Sequence, residues 1–224
     1  FLKGGDEPVY SDCDCFQKTV TVEEKHGHCK TCAIRYEMNL PAYYDYEQRK
    51  RSEEKAVSVL TLELSLKPGQ KWMEIGYTLE NNSKDHRVRI VVAGDVVSDV
   101  STADIAYDVV THGEEAHCPV TDSKVLPNTS FAALQQDGKG VAVFTEGAHE
   151  YEHMNGNMLA FTIVRATGLI SKSNTATWQV PGNQCLRTLQ GSMAVMPFEG
   201  DIISAGVPAM SQCFRTPLIA AFSA

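Results

Sequence analysis

Leu60-Thr61-Leu62-Glu63-Leu64-Ser65-Leu66 and Met73-Glu74-Ile75-Gly76-Tyr77-Thr78-Leu79 alternate apolar residues with polar or small ones along two neighbouring runs. A period of two puts one set of side chains on one face of a strand, so each run reads as a strand with a buried side. Pro68-Gly69-Gln70 between them supplies turn chemistry: proline presets φ, and glycine takes the positive φ that a tight turn demands. The two runs therefore predict one long antiparallel hairpin. Beyond it, Asn81-Asn82-Ser83-Lys84-Asp85-His86-Arg87-Val88-Arg89 leads into a third apolar run, Ile90-Val91-Val92. That stretch is too rich in hydrogen-bonding and ionisable groups for a simple bend, and it reads as a loop held by its own ion network.

The same period recurs outward in both directions. Residues 19–23 and 32–40 form strand patterns around His26-Gly27-His28, and Pro41 closes the second. Residues 105–110 suggest a further strand, and 131–134 and 140–145 flank an Asp137-Gly138 hairpin cue. Residues 150–152 read as an edge strand and Asn155-Gly156-Asn157 as a turn. The run 159–164 is apolar on both faces, as a covered central strand must be. Residues 193–196 and 219–222 complete the strands, 168–177 read as a polar loop, and 201–214 hold one short helix restarted at Pro208. Many short strands with so little helix predict the all-β class: a large antiparallel β-sandwich with at most one or two short helices. No repeat or compositional break divides residues 1–224, which read as a single β-sandwich domain.

Composition bounds the partners. With 43% hydrophobic and 21% charged residues over 224 positions, the chain can bury a sizeable core. A net charge of −8 gives no basic footprint for nucleic acid or an anionic membrane. No apolar run approaches the roughly 20 residues that span a bilayer. Phe1 opens the chain without an initiator methionine or a signal-peptide pattern, so it reads as a piece of a longer protein. Seven cysteines, an odd and uneven set, favour a reduced compartment and a cytoplasmic location.

Three constellations carry candidate chemistry. Cys13, Cys15, His26, His28, Cys29 and Cys32 lie on the two arms of one hairpin. Such ligands can surround zinc tetrahedrally, two of the thiols can form a local disulfide, or they can remain surface thiols. Tyr43, Tyr44 and Tyr46 beside Gln48-Arg49-Lys50-Arg51 can stack sugars or bases, or form a solvated loop balanced by Glu53 and Glu54. Arg165 continues the face of Leu159, Phe161 and Ile163, and a guanidinium there must leave the core at the strand end or find a partner. His112, His117 and Cys118 read as loop residues. No G-x-S-x-G, H-E-x-x-H or glycine-rich phosphate loop is present.

Two segments nonetheless resemble bacterial glycoside hydrolase family 38, the α-mannosidase and mannosylglycerate hydrolase family. Residues 81–89 (NNSKDHRVR) are similar to its N-x-x-K-D-H-R-L-R segment, and 162–168 (TIVRATG) to its T-L-L-R-x-x-G strand. Pro181 to Cys185 (PGNQC), Phe214 to Pro217 (FRTP) and Gly5-Asp6-Glu7 with Tyr10-Ser11 also follow the family pattern in order, with Pro8 standing where that pattern has its first tyrosine. The resemblance implies a galactose-mutarotase-like supersandwich, the first C-terminal β-domain of a retaining α-mannosidase-type hydrolase. The nucleophile and one zinc ion would then lie in a catalytic domain elsewhere in the same polypeptide, and this chain would have neither a cofactor nor turnover of its own. Its expected partners are that catalytic domain, an α-mannoside in the intact enzyme, and further copies of the parent in a homo-oligomer. Arg165 and Tyr10 match positions that the resemblance places at the sugar pocket. The alternative is a stand-alone carbohydrate-binding β-module with Tyr43, Tyr44 and Tyr46 as its stacking platform.

Overall fold

A computed structural model of the protein describes residues 14–25, 29–117, 123–173 and 176–216. In chain order the strands begin with β1 (Phe16–Lys25) and β2 (Cys29–Pro41), then a short ribbon of β3 (Tyr44–Asp45) and β4 (Lys50–Arg51). The hairpin predicted from residues 60–79 is β5 (Lys55–Leu66) and β6 (Met73–Glu80), hydrogen-bonded neighbours in the sheet. Its turn is the expected one: Gln70 N donates to Lys67 O at 3.2 Å with Pro68 and Gly69 between, and Gly69 sits at φ +77°. That is the type II arrangement, in which the third position requires positive φ. Ile75, Tyr77 and Leu79 are buried as their period demands, whereas burial fades along β5 from Leu60 to Leu66, which is 53% exposed.

β7 (Arg87–Ala93), β8 (Val100–Asp104), β9 (Val109–Gly113) and the two-residue β10 (Leu126–Pro127) follow. The strand expected over 105–110 is not formed there. Ile105 N closes a turn onto Asp108 O, Tyr107 stands 99% exposed at its tip, and pairing begins again only at Val109. β11 (Phe131–Gln136) and β12 (Lys139–Glu146) meet across Asp137-Gly138, both at positive φ. β13 (Glu150–Met154) turns at Asn155-Gly156 into β14 (Met158–Arg165), which lies between β13 and β7 as a central strand should. The polar loop expected over 168–177 is instead a ribbon, β15 (Leu169–Ser173) with β16 (Ala176–Gln179). A 3-10 turn (Pro181–Gln184), β17 (Thr188–Glu199) and the single helix α1 (Val207–Arg215), with its proline in the first turn, complete the described chain. The strand expected over 219–222 lies outside the described residues.

Two compact units interleave along the chain, so no compositional boundary separates them. The first gathers the described residues of Phe1–Ser65, Gly76–Val88 and Val164–Gly191; the second gathers those of Leu66–Ile75, Arg89–Ile163 and Ser192–Ala224. The first contains the strand order β1-β2-β5-β6-β17 and both ribbons. The second is a sandwich of β17-β12-β11-β8-β9 and β10-β13-β14-β7. Its faces meet where the Tyr151 and Ser101 hydroxyls lie 3.0 Å apart across the two sheets. Phe131, Phe144, Met196, Phe198 and Val207 form its core, with Trp72 and Phe214 packed edge-on and tilted against Phe144 at 6.0 and 6.2 Å. All pairings of known register are antiparallel.

Candidate functional site

The polar stretch after β6 turns back on the first unit, and Asp85 is its centre. The residue sits at φ +56°, a left-handed conformation that aspartate tolerates better than most. Its carboxylate Oδ1 accepts the Tyr46 hydroxyl at 2.5 Å, Gln184 Nε2 at 2.7 Å and the Gly168 amide at 3.0 Å. The Tyr44 amide approaches Oδ2 at 3.4 Å. Gln184 Oε1 accepts the Asp85 amide at 2.8 Å, so the side chain of Gln184 clamps the residue from both ends. Arg51 Nη1 donates to the Asp85 carbonyl at 2.6 Å while its guanidinium lies 5.5 Å from the centre of the Tyr44 ring. The loop is therefore held by neutral donors on one carboxylate. The expected loop-stabilising role of this stretch takes the form of a hydrogen-bond hub on Asp85, to which Arg51 adds through the Asp85 carbonyl.

Around this hub the remaining family-like segments are stitched together. Ala166 N donates to His86 O at 2.8 Å, Thr167 N to Asn183 O at 3.3 Å, and Asn81 Nδ2 to the carbonyls of Gln184 and Cys185 at 3.0 Å each. Gly168 explains itself sterically: a Cβ there would lie 2.4 Å from Gln184 Nε2 and 3.2 Å from Asp85 Oδ1. Only glycine lets the backbone come this close.

The titratable groups of the hub are each shifted away from neutral pH. Burial alone would raise the Asp85 carboxyl, but the bonds from Tyr46, Gln184, Gly168 and Tyr44 outweigh it and hold it below the ordinary carboxylate range. Tyr46 is pushed up to about 12, first by burial and then by the bond to the Asp85 charge and its field. His86 is held neutral: burial lowers it, and the Arg51 charge adds to the effect. Its ring nitrogens are buried without a hydrogen-bond partner, the Lys84 carbonyl standing close enough to pull the other way yet outside bonding geometry. An ionised carboxylate saturated with donors is a poor nucleophile or acid and a good clamp.

Arg165 ends β14 with an exposed side chain, one residue before the Ala166 amide that binds His86 O. Its side chain lies outside the core at the strand end. Tyr10 lies outside the described residues. Tyr44 and Tyr46 meet edge to face at 75°, with one ring under Arg51 and the other tied to Asp85. They do not offer coplanar faces to a sugar.

Among the described residues, the candidate metal ligands Cys15 and Cys32 do not converge. β1 and β2 pair in one register, with Cys32 opposite Val22 and Cys29 opposite Lys25, while Asn39 N bonds Cys15 O at the other end. Seven positions at about 3.3 Å each separate the level of Cys15 from that of Cys32, roughly 23 Å. Cys15 is moreover disulfide-bonded, while Cys32, Cys185 and Cys213 are free. Cys13, His26, His28 and the side chain of Cys29 lie outside what is described. Among the described residues no three His, Cys, Asp or Glu side chains are grouped to hold a metal ion, and no helix is long and apolar enough to cross a membrane.

The model of the glycosyl hydrolase family 38 C-terminal domain matches residues 15–169. The chain belongs to that family. A Halalkalibacterium halodurans protein provisionally named a mannosylglycerate hydrolase is 24% identical over 92% of this chain and 24% of its own length. Two crystal structures from Enterococcus faecalis share the fold. One, of a family 38 protein, has a TM-score of 0.82 over 94% of this chain and 26% of that one. The other, of an α-mannosidase, has 0.83 over 94% and 25%, and both are 20% identical. This family 38 chain thus spans about a quarter of the length of these relatives. The sequence marks Gly168 and Gln184 only as family pattern, and Asp85 also as part of a loop-stabilising network. That Tyr46 joins them was hidden, because its partner is 39 residues away.

Proposed function

We propose that this chain is the accessory β-region of an α-mannosidase-type glycoside hydrolase, packing on a catalytic part of the same parent and forming one wall of its sugar pocket. The observation that carries the reading is the convergence of residues 81–86, 166–168 and 183–185 on Asp85. Its effect is to fix the backbone that follows Arg165. A guanidinium on a rigid strand end can hold a sugar hydroxyl or a carboxylate by forked hydrogen bonds, and the family resemblance assigns Tyr10 to the same wall. The parent is a retaining enzyme, and its zinc supplies Lewis-acid chemistry in the catalytic part. This chain supplies position and carries no step of the reaction.

The test is reconstitution. The chain alone is expected to leave an aryl α-mannoside intact, and turnover is expected once the rest of the parent is supplied. In the reconstituted, folded enzyme Arg165→Ala should lower kcat/KM by about tenfold or more, and Arg165→Lys should not restore it, since lysine cannot fork. Hydrolysis by the chain alone would overturn the reading. So would an Arg165→Ala enzyme with unchanged kinetics.

A further inference from the structure

β1 ends the strand order β1-β2-β5-β6-β17 and is hydrogen-bonded, among the described residues, to β2 alone. In an antiparallel ladder, residues that exchange bonds with the partner alternate with residues that do not. Asn39 N donates to Cys15 O, and the register runs without a shift from Phe16–Met38 to Lys25–Cys29. Odd-numbered residues of β1 therefore turn their amides and carbonyls towards β2, and even-numbered ones turn theirs to the open edge. Folded proteins break such edges with proline, a bulge, a short strand or charged side chains, and the charges of β1 are of both signs, so a second copy can match them. β1 has ten residues, no proline and no register shift, and Val20 and Val22 are 51% and 70% exposed.

The edge is complementary to itself. Two copies of one strand can pair antiparallel about a two-fold axis normal to the sheet, which keeps each face on its own side. A residue then meets one of the same parity. Centred on Thr21, this pairing sets Val20 opposite Val22 of the other copy and, by register, position 18 (Lys18) opposite position 24 (Glu24), each twice. At the odd positions Thr21 meets itself and Thr19 meets Glu23. The even residues so paired are those with open backbone groups, giving about eight inter-strand hydrogen bonds. Moving the centre to Val20 sets Val22 against Lys18, and moving it to Val22 sets Val20 against Glu24. One register alone satisfies both valines and both charges.

We propose that β1 is a self-association edge by which two copies of this chain join their sheets antiparallel about Thr21. Sedimentation of the 224-residue chain across a concentration series should show a monomer–dimer equilibrium. Val22→Pro removes an outward amide that β2 does not use, a place where an edge strand accepts proline, so the β1–β2 ladder and the circular dichroism should persist. Dimerisation should weaken by about tenfold or more. Lys18→Glu should also weaken it, and adding Glu24→Lys in the same chain should restore it. A chain that stays monomeric overturns the proposal, including one whose β1 amides are protected from exchange by another segment. A dimer indifferent to Val22→Pro and to the charge exchange overturns it as well.

Discussion

Asp85 accepts three short bonds on one oxygen while its own amide is returned to Gln184, so the residue links four separate stretches of the first unit. Tyr46→Phe removes the one hydroxyl donor. A bond to a charged acceptor is worth about 1.5–3 kcal/mol, and partial exposure puts this one at the lower end. Urea denaturation at neutral pH should show that loss with an unchanged slope. The same residue sets an alkaline window. Its folded pKa is raised to about 12 from 10, so its contribution is complete below pH 10 and disappears as pH rises from 10 to 12. The wild type should lose stability in that interval and the phenylalanine variant should lose less. Gly168→Ala tests the close approach: a Cβ 2.4 Å from Gln184 Nε2 must push the amide off Asp85. A buried glutamine left unpaired costs about 1–3 kcal/mol, readable as a lowered denaturation midpoint.

Among the elements, β11 and α1 are tied to one carboxylate that no motif singles out. Asp104 Oδ1 accepts the amides of Thr129, Ser130 and Phe131 at 3.2, 2.7 and 2.9 Å, and Oδ2 accepts the Ser130 hydroxyl at 2.5 Å. Ser130 Oγ lies 2.9 Å from Ser211 Oγ on α1, and Ser211 also donates to Pro208 O. Asp104→Ala would strand the amides of Ser130 and Phe131, both fully buried. At about 1–3 kcal/mol for each unpaired group, a loss of several kcal/mol is expected, larger than for any exposed aspartate. Hydrogen exchange should then quicken at the start of β11 and in α1 before it does in β1 and β2. The elements were legible where one rule dominates. β5, β6, β12 and β14 follow the period of two, and Asp137-Gly138 announces its hairpin. The β15–β16 ribbon was missed because a ladder can be built from serine and threonine, whose polarity looks like a loop. Residues 105–108 were misread for the converse reason: an apolar isoleucine and tyrosine cap a turn.

For the molecule as a whole, acid should act in two stages. His86 is lowered by burial, so its contribution is complete above its unfolded pKa near 6.5 and is lost as pH falls below that value. Asp85 is lowered by its donors, so its contribution is complete above about pH 4 and is lost as pH falls through the folded value. Thermal melts from pH 7 downwards should weaken first near 6.5, and His86→Phe should flatten that first stage while leaving the second. By itself the sequence determined the class of fold, most strand positions, the family, and Arg165 as the charge that had to leave the core or find a partner. Periodicity, turn chemistry and short motifs are local, and each is written in adjacent residues. Only the tertiary structure decided that Tyr46, Asp85, Gly168 and Gln184 share one oxygen, and that one register holds Cys15 and Cys32 at opposite ends of a hairpin. Those facts depend on which distant segments lie side by side, and a contact across 39 or 99 residues leaves no period to read.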